Sequence, residues 1–153
     1  MSASRVSMVW PTPATRVALA LIAAIVIGSG TFLLGRYPSL PWLLPVHFRR
    51  NGVPDGWQYK THLRVMLPVF VQLALALTFG AIGGLLLSRP HGTRDADAPD
   101  VRAAAAAAEA VILIALIWVA FQAYAGWALV QIWAVGRAGL ASGTAAWRLW
   151  VWS

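Results

Sequence analysis

The 23-residue stretch Val65–Leu87, VMLPVFVQLALALTFGAIGGLLL, contains no charged residue. Two further stretches share this property, Val17–Gly35 with 19 residues and Ala110–Val135 with 26. A helix needs roughly 20 apolar residues to cross the ~30 Å hydrocarbon core of a bilayer. We therefore predict an all-α membrane protein, with three transmembrane helices and a compact, turn-rich loop between the first and the second.

The composition of the 153-residue chain excludes several other classes of protein. Apolar residues make up 59% and charged residues 11%, against about 25% charged in soluble domains. A disordered chain would show the opposite balance. The absence of cysteine excludes disulfide scaffolds and thiolate metal sites. A chain of this length cannot bury three apolar helices on all sides, and the first stretch exceeds the usual apolar core of a cleaved signal peptide.

The charge-free stretches divide the chain into segments. We predict that one helix begins near Asp97 and runs to about residue 135, where it would be about 57 Å long and either project from the membrane or break at Gly126. The predicted segments are a polar lead-in (1–16), a two-helix domain (17–88) with its loop (36–64), a polar loop with a helix extension (89–109), the third transmembrane helix (110–135) and a Trp-rich interfacial tail (136–153).

Small residues indicate where helices pack in the membrane. Gly80 and Gly84 form a GxxxG pair, and Gly28 and Gly30 form a small face in the first span. Such faces let another helix backbone approach closely. The alternatives are that the GxxxG spacing arises by chance in a glycine-rich span and that the segment around Gly28 is merely flexible.

No arrangement of residues indicates an enzyme. His47 and His62 share the first loop with Asp55, but their spacing is not that of a zinc site. We expect no metal, no cofactor and no catalytic residue. Gln122 and Gln131 lie within the third span, where hydrogen bonds to a neighbouring helix are their expected role.

The charges of the loops suggest contact with lipid. The net charge is +7, and because the basic residues flank the spans, we expect them to meet lipid headgroups and not nucleic acid. Seven basic residues in the first loop and tail, against five elsewhere, lean toward a cytoplasmic first loop. Aromatic residues of that loop suit the membrane–water interface: Tyr37, Trp42, Trp57 and Tyr59.

One segment of the first loop carries a specific motif. It consists of Pro45-Val46-His47-Phe48, then Asn51-Gly52-Val53-Pro54-Asp55-Gly56-Trp57, then Lys60. Within it, Asn51-Gly52 predicts a tight turn and Val53-Pro54-Asp55-Gly56 a second turn of type I. The motif resembles the signature of a bacterial membrane family, domain of unknown function 1648, which is also found at the N-terminus of SdpI-like toxin-immunity and signalling proteins. The resemblance covers roughly residues 17–88. The further multi-helix domain of those relatives does not follow here.

The resemblance implies a function in binding. Its relatives are multi-span membrane proteins without known cofactors, which protect cells against a secreted peptide toxin and signal its presence. It leaves two roles open for the signature residues, ligand contact or a structural role in the loop: Pro45, His47, Phe48, Asn51, Gly52, Pro54, Asp55, Gly56, Trp57 and Lys60.

We therefore expect a small, non-enzymatic binding or sensor protein of the bacterial cytoplasmic membrane. The alternative is an accessory subunit of a larger membrane complex. A transporter half is less favoured, because no span holds an ionisable residue well inside it. The expected partners are the lipid bilayer, other membrane subunits or a second copy of the chain, and a peptide ligand.

Overall fold

A computed structural model describes residues 9–50, 54–88 and 99–142, with the side chains of the last segment described up to residue 134. In chain order, the elements are α1 (Pro13–Arg36), one turn of 3₁₀ helix (Tyr37–Ser39), β1 (Leu43–Phe48), β2 (Pro54–Tyr59), α2 (His62–Val65), α3 (Leu67–Leu87) and α4 (Pro99–Ser142). The helices α1, α3 and α4 are long and apolar enough to cross a membrane. The prediction of three helices of spanning length is confirmed.

The loop between α1 and α3 contains a β-hairpin, so the all-α prediction is wrong in this respect. β1 and β2 pair antiparallel, with Leu43 opposite Tyr59 and Phe48 opposite Pro54, and the register shifts around His47. The turn predicted at residues 53–56 is also wrong from Pro54 onward, because these residues belong to β2. Proline is tolerated as the first residue of a strand, where its missing N–H disturbs the ladder least.

The helix ends differ from the predicted boundaries. α1 begins inside the predicted lead-in, because Thr12 accepts a hydrogen bond from the backbone N–H of Thr15 and Pro13 suits the first helical turn. α4 continues to Ser142, so the first seven residues of the predicted tail are helical. The predicted helix start at Asp97, the turn at Asn51-Gly52 and residues 143–153 lie outside the described residues.

α4 is the central helix of the bundle. It packs against both α1 and α3, whereas those two contact each other sparsely. The buried positions of α4 follow a seven-residue repeat, which is typical of helices that pack in a left-handed coiled-coil manner. The helix runs through Gly126 without a break. The repeat consists of Val101, Ala108, Ile112, Ala115, Val119, Gly126 and Trp133, and Val130, one position off the repeat, is also buried.

A buried amide joins the three helices. Gln72 of α3 is 0% exposed, and its Nε2 donates to Ser29 Oγ of α1 at 3.1 Å and to the Val119 carbonyl of α4 at 3.0 Å. This is the hydrogen-bonding role that the sequence suggested for Gln122 and Gln131. Neither of those two side chains forms a hydrogen bond with another described residue, so their expected role stays a prediction.

The close contact between α3 and α4 lies at Gly83. A Cβ built there would lie 3.2 Å from Ile112 Cδ1, and one on Gly126 would lie 3.4 Å from Pro68 Cβ. At Gly80 and Gly84, by contrast, an added Cβ meets nothing within 4 Å. These two glycines therefore lie close to no side chain of another described helix. That they pack against a helix stays a prediction, and that helix would belong to a partner.

The first span shows a similar arrangement. An added Cβ at Gly28 meets nothing within 4 Å, and at Gly30 it would come within 4.0 Å of Met66 and Val69. Of the four predicted packing glycines, Gly30 alone lies in ordinary contact distance of a neighbouring helix segment.

The end of the bundle opposite the hairpin is held by two hydrogen bonds. Thr12 Oγ1 donates to Glu109 Oε2 at 2.6 Å, and the backbone N–H of Val9 donates to the Leu87 carbonyl at 3.1 Å. α1 begins and α3 ends at this level. α4 begins at Pro99, ten residues before Glu109, and so includes the predicted helix extension.

Candidate functional site

The described residues between α1 and α3, 37–50 and 54–66, form a compact unit, which we name the cap. Its base is apolar: Leu40 is 5% exposed, and Leu44 and Val65 are 0% exposed. Trp133 of α4 packs in the same cluster as this base and is 4% exposed. Its indole Nε1 donates to the Pro45 carbonyl at 3.1 Å. The cap is thus fixed to the central helix by both packing and a buried hydrogen bond.

Lys60 joins the end of β2 to the first residues of the cap. Its Nζ donates to the carbonyls of Tyr37 at 3.1 Å and Leu40 at 3.0 Å. The ammonium also lies 4.7 Å from the Tyr37 ring centroid and 5.3 Å from that of Trp42, which is within cation–π range. Two of its three N–H donors are used on carbonyls, and this assigns Lys60 a structural role.

Replacing Lys60 with methionine is expected to lower the free energy of unfolding by roughly 1–3 kcal/mol, because two partly buried carbonyls lose a charged donor. The matched control is Arg50→Met, which removes an exposed cation of the same cap. Unfolding in mixed detergent micelles would measure both variants. Equal stabilities for the two variants would contradict the structural role of Lys60.

His47 is a signature residue with a largely exposed side chain. Its Nδ1 lies 2.5 Å from Asp55 Oδ1, and its side chain is 73% exposed. The Asp55 carboxylate can only accept, so the proton of this bond belongs to Nδ1. Nε2 is then the ring nitrogen that has no partner among the described residues. A histidine so oriented can accept a hydrogen bond, take up a proton or contribute one ligand to a metal.

A third residue completes this group. Arg49 Nε lies 3.5 Å from Asp55 Oδ2. The pKa of the Asp55 carboxyl is lowered, mainly by the hydrogen bond from His47. Positive charge on His47 and Arg49 lowers this pKa further. A partial loss of hydration acts in the opposite direction but is outweighed. No group of three metal-binding side chains occurs among the described residues.

Gly56 explains how the strand β1 can place His47 beside Asp55. A Cβ built on Gly56 would lie 2.8 Å from His47 Cβ, closer than real Cβ atoms approach. The strands can therefore approach only because residue 56 lacks a side chain. The Asp55-Gly56 pair supplies both the hydrogen-bond acceptor and the space for His47.

The pH dependence of the cap follows from Asp55. Because the folded-state pKa of this carboxyl lies below its unfolded value, the ionised form stabilises the folded cap at neutral pH. This contribution is lost as the pH falls below about 4 and through the folded-state pKa. We expect acidification from about pH 7 to 3 to lower the thermal midpoint more in the wild type than in Asp55→Asn. Parallel profiles for the two proteins would refute this role of Asp55.

The remaining signature residues lie around this group. Pro45 pairs with Trp57 across the strands, Trp57 is half-buried, and Phe48 is 37% exposed. Asn51 and Gly52 lie outside the described residues. Sequence reasoning missed Arg49 and Trp133. Trp133 is recognisable only from the seven-residue repeat of α4.

In comparisons with known proteins, no family model, no curated protein and no solved structure matches this chain. The family resemblance therefore stays a prediction that rests on residues 45–60.

Proposed function

We propose that this chain is a small, non-enzymatic binding or sensor protein of the bacterial cytoplasmic membrane, similar to the SdpI-like immunity proteins. In this proposal, His47 contacts the ligand on the outer face of the cap. One observation carries it: Asp55 orients an imidazole that is 73% exposed and that contributes nothing to the core of the cap.

The signature residues divide into two groups that support the proposal. Lys60 and Pro45 serve the structure of the cap: Lys60 bonds to two carbonyls within it, and the Pro45 carbonyl accepts from Trp133 of α4. Asp55 and Gly56 instead serve His47, one by bonding to it and one by leaving room for it. Exposed groups on a rigid scaffold are common positions for ligand contact. The peptide nature of the ligand rests on the resemblance alone.

Survival of cells exposed to membrane-active peptides tests the proposal. A deletion strain would express the wild type, His47→Gln, Asp55→Asn or the control His62→Gln. His62 is an exposed histidine of the same cap, but its ring stacks on Tyr37. We expect protection by the wild type and the control, and a loss of at least tenfold in surviving cells for His47→Gln. Protection by His47→Gln equal to that of the wild type, at equal protein levels, would overturn the proposal.

An accessory subunit is the second candidate, and a groove between α1 and α4 favours it. The groove encloses about 190 Å³ and is lined by Gly28, Ser29 and Gln122, among others. The Gln122 amide has no hydrogen-bond partner among the described residues. A partner helix could supply one. Native mass spectrometry in mild detergent would detect a stable hetero-complex if this candidate is right, and a monomer or homodimer would count against it.

A further inference from the structure

The two ends of the bundle differ in charge. From Arg36 to Leu67, both included, the sequence contains five basic residues and a single acid, Asp55. The Asp55 carboxylate is already bonded to His47 and Arg49. At the opposite end, the described residues balance two arginines against Asp100 and Glu109. The cap end therefore carries positive charge that no side chain of the cap neutralises.

Two of these cations lie where the cap meets the spans. Arg36 is the last residue of α1, and Arg64 lies three residues before α3 begins. The segments that carry them are in contact, because the ring of Tyr37 stacks on that of His62 with centroids 3.9 Å apart. Both arginines thus adjoin helices long and apolar enough to span a membrane, and we expect the ends of such helices at the level of the lipid headgroups.

Neither arginine has an acidic partner among the described residues. The Arg36 guanidinium lies 5.6 Å from the centroid of the Phe32 ring, one turn back along α1. Arg64 donates to the Tyr59 carbonyl. A guanidinium carries five N–H donors, so most of the donors on both groups stay available to an anion.

The surroundings of this pair are apolar and aromatic. Trp42 is 77% exposed, Tyr59 is 74% exposed and Leu63 is 69% exposed. Such side chains settle at the membrane interface, where they would contact the glycerol and upper acyl region of a lipid.

We propose that Arg36 and Arg64 form a binding site for the headgroup of an anionic phospholipid. Guanidinium groups recognise phosphate through paired N–H···O bonds. A zwitterionic headgroup suits the site less well, because the cap offers its ammonium no free carboxylate. This site is distinct from His47 and does not depend on the function proposed for it.

The test compares lipid retention in the full chain. The protein would be reconstituted in nanodiscs of phosphatidylcholine and phosphatidylglycerol in equal parts, and retained lipids would be counted by native mass spectrometry. Each arginine near an anionic surface contributes about fivefold in affinity, or about 25-fold for both. We expect the wild type to retain phosphatidylglycerol preferentially and Arg36→Gln/Arg64→Gln to lose this preference.

The matched control is Arg16→Gln/Arg102→Gln, which removes two arginines from the opposite end and should keep the preference. Thermal unfolding of each variant in phosphatidylcholine alone verifies folding. A preference unchanged in Arg36→Gln/Arg64→Gln, or lost equally in the control, would overturn the proposal. The proposal would also be overturned if inorganic phosphate stabilised the lipid-free, detergent-solubilised protein as much as phosphatidylglycerol does. The site would then bind a soluble anion.

Discussion

Replacement of Trp133 by alanine is expected to lower the free energy of unfolding by roughly 3–5 kcal/mol, the usual cost of deleting a buried tryptophan. The side chain is 4% exposed, fills the apolar base of the cap and donates to the Pro45 carbonyl. Its loss leaves both a cavity and an unpaired carbonyl. Equilibrium unfolding in mixed detergent micelles would measure the change.

Two control variants separate the causes of this effect. Trp118→Ala removes the same side chain from a site on α4 that is 49% exposed, so we expect a much smaller change. Trp133→Phe retains most of the packing but removes the N–H donor, and should cost about 1 kcal/mol. If Trp133→Ala and Trp118→Ala were equally stable, the cap would not be anchored on α4 as described.

The second large effect is expected where α3 meets α4. Gly83→Leu would drive a side chain into Ile112, since even a Cβ at this position lies 3.2 Å from Ile112 Cδ1. Overpacking of this kind costs typically 1–3 kcal/mol. Gly80→Leu is the matched control, because an added Cβ there meets no atom within 4 Å.

We expect Gly80→Leu to change the stability of the monomer by less than about 0.5 kcal/mol. Unfolding of both variants under the same micellar conditions would decide between the two glycines. A larger loss for Gly80→Leu than for Gly83→Leu would mean that the GxxxG pair, and not Gly83, carries the contact between the helices.

The comparison of these glycines shows what sequence patterns can and cannot predict. Charge-free length is a physical requirement for crossing a bilayer, so the three spanning helices were predictable. The face that a helix turns toward its neighbour depends on tertiary packing. The GxxxG spacing therefore suggested Gly80 and Gly84, although Gly83 between them makes the contact.

The same limit applies to the polar residues of the spans. The sequence shows three glutamines in apolar surroundings, but not which one faces both neighbouring helices. Gln72 does so, and hydrogen bonds to Ser29 and to the Val119 carbonyl. The sequence suggests this role for Gln122 and Gln131. It does not identify Gln72, because the side of a helix that faces α1 is a property of the assembled bundle.

The cap was predictable in its position but not in its form. Its prolines and glycines excluded a long helix, and His47, Asp55 and Gly56 were among the ten signature residues, but nothing in the sequence grouped these three. The turn expected at residues 53–56 was replaced by strand β2, because pairing with β1 extends across Pro54 and Gly56. Local turn propensity could not show that the opposite strand was close enough to pair.

The tautomer of the His47 ring tests the central claim most directly, namely that Asp55 orients this histidine with Nε2 free for a ligand. Variants that retain His47 as the sole histidine would be labelled with ¹⁵N and measured by NMR in micelles at about pH 9, where imidazole rings are neutral. We predict protonation at Nδ1 when Asp55 is present, and loss of this preference in Asp55→Ala, which removes the acceptor. A ring protonated mainly at Nε2, or the same tautomer ratio in both proteins, would contradict the account.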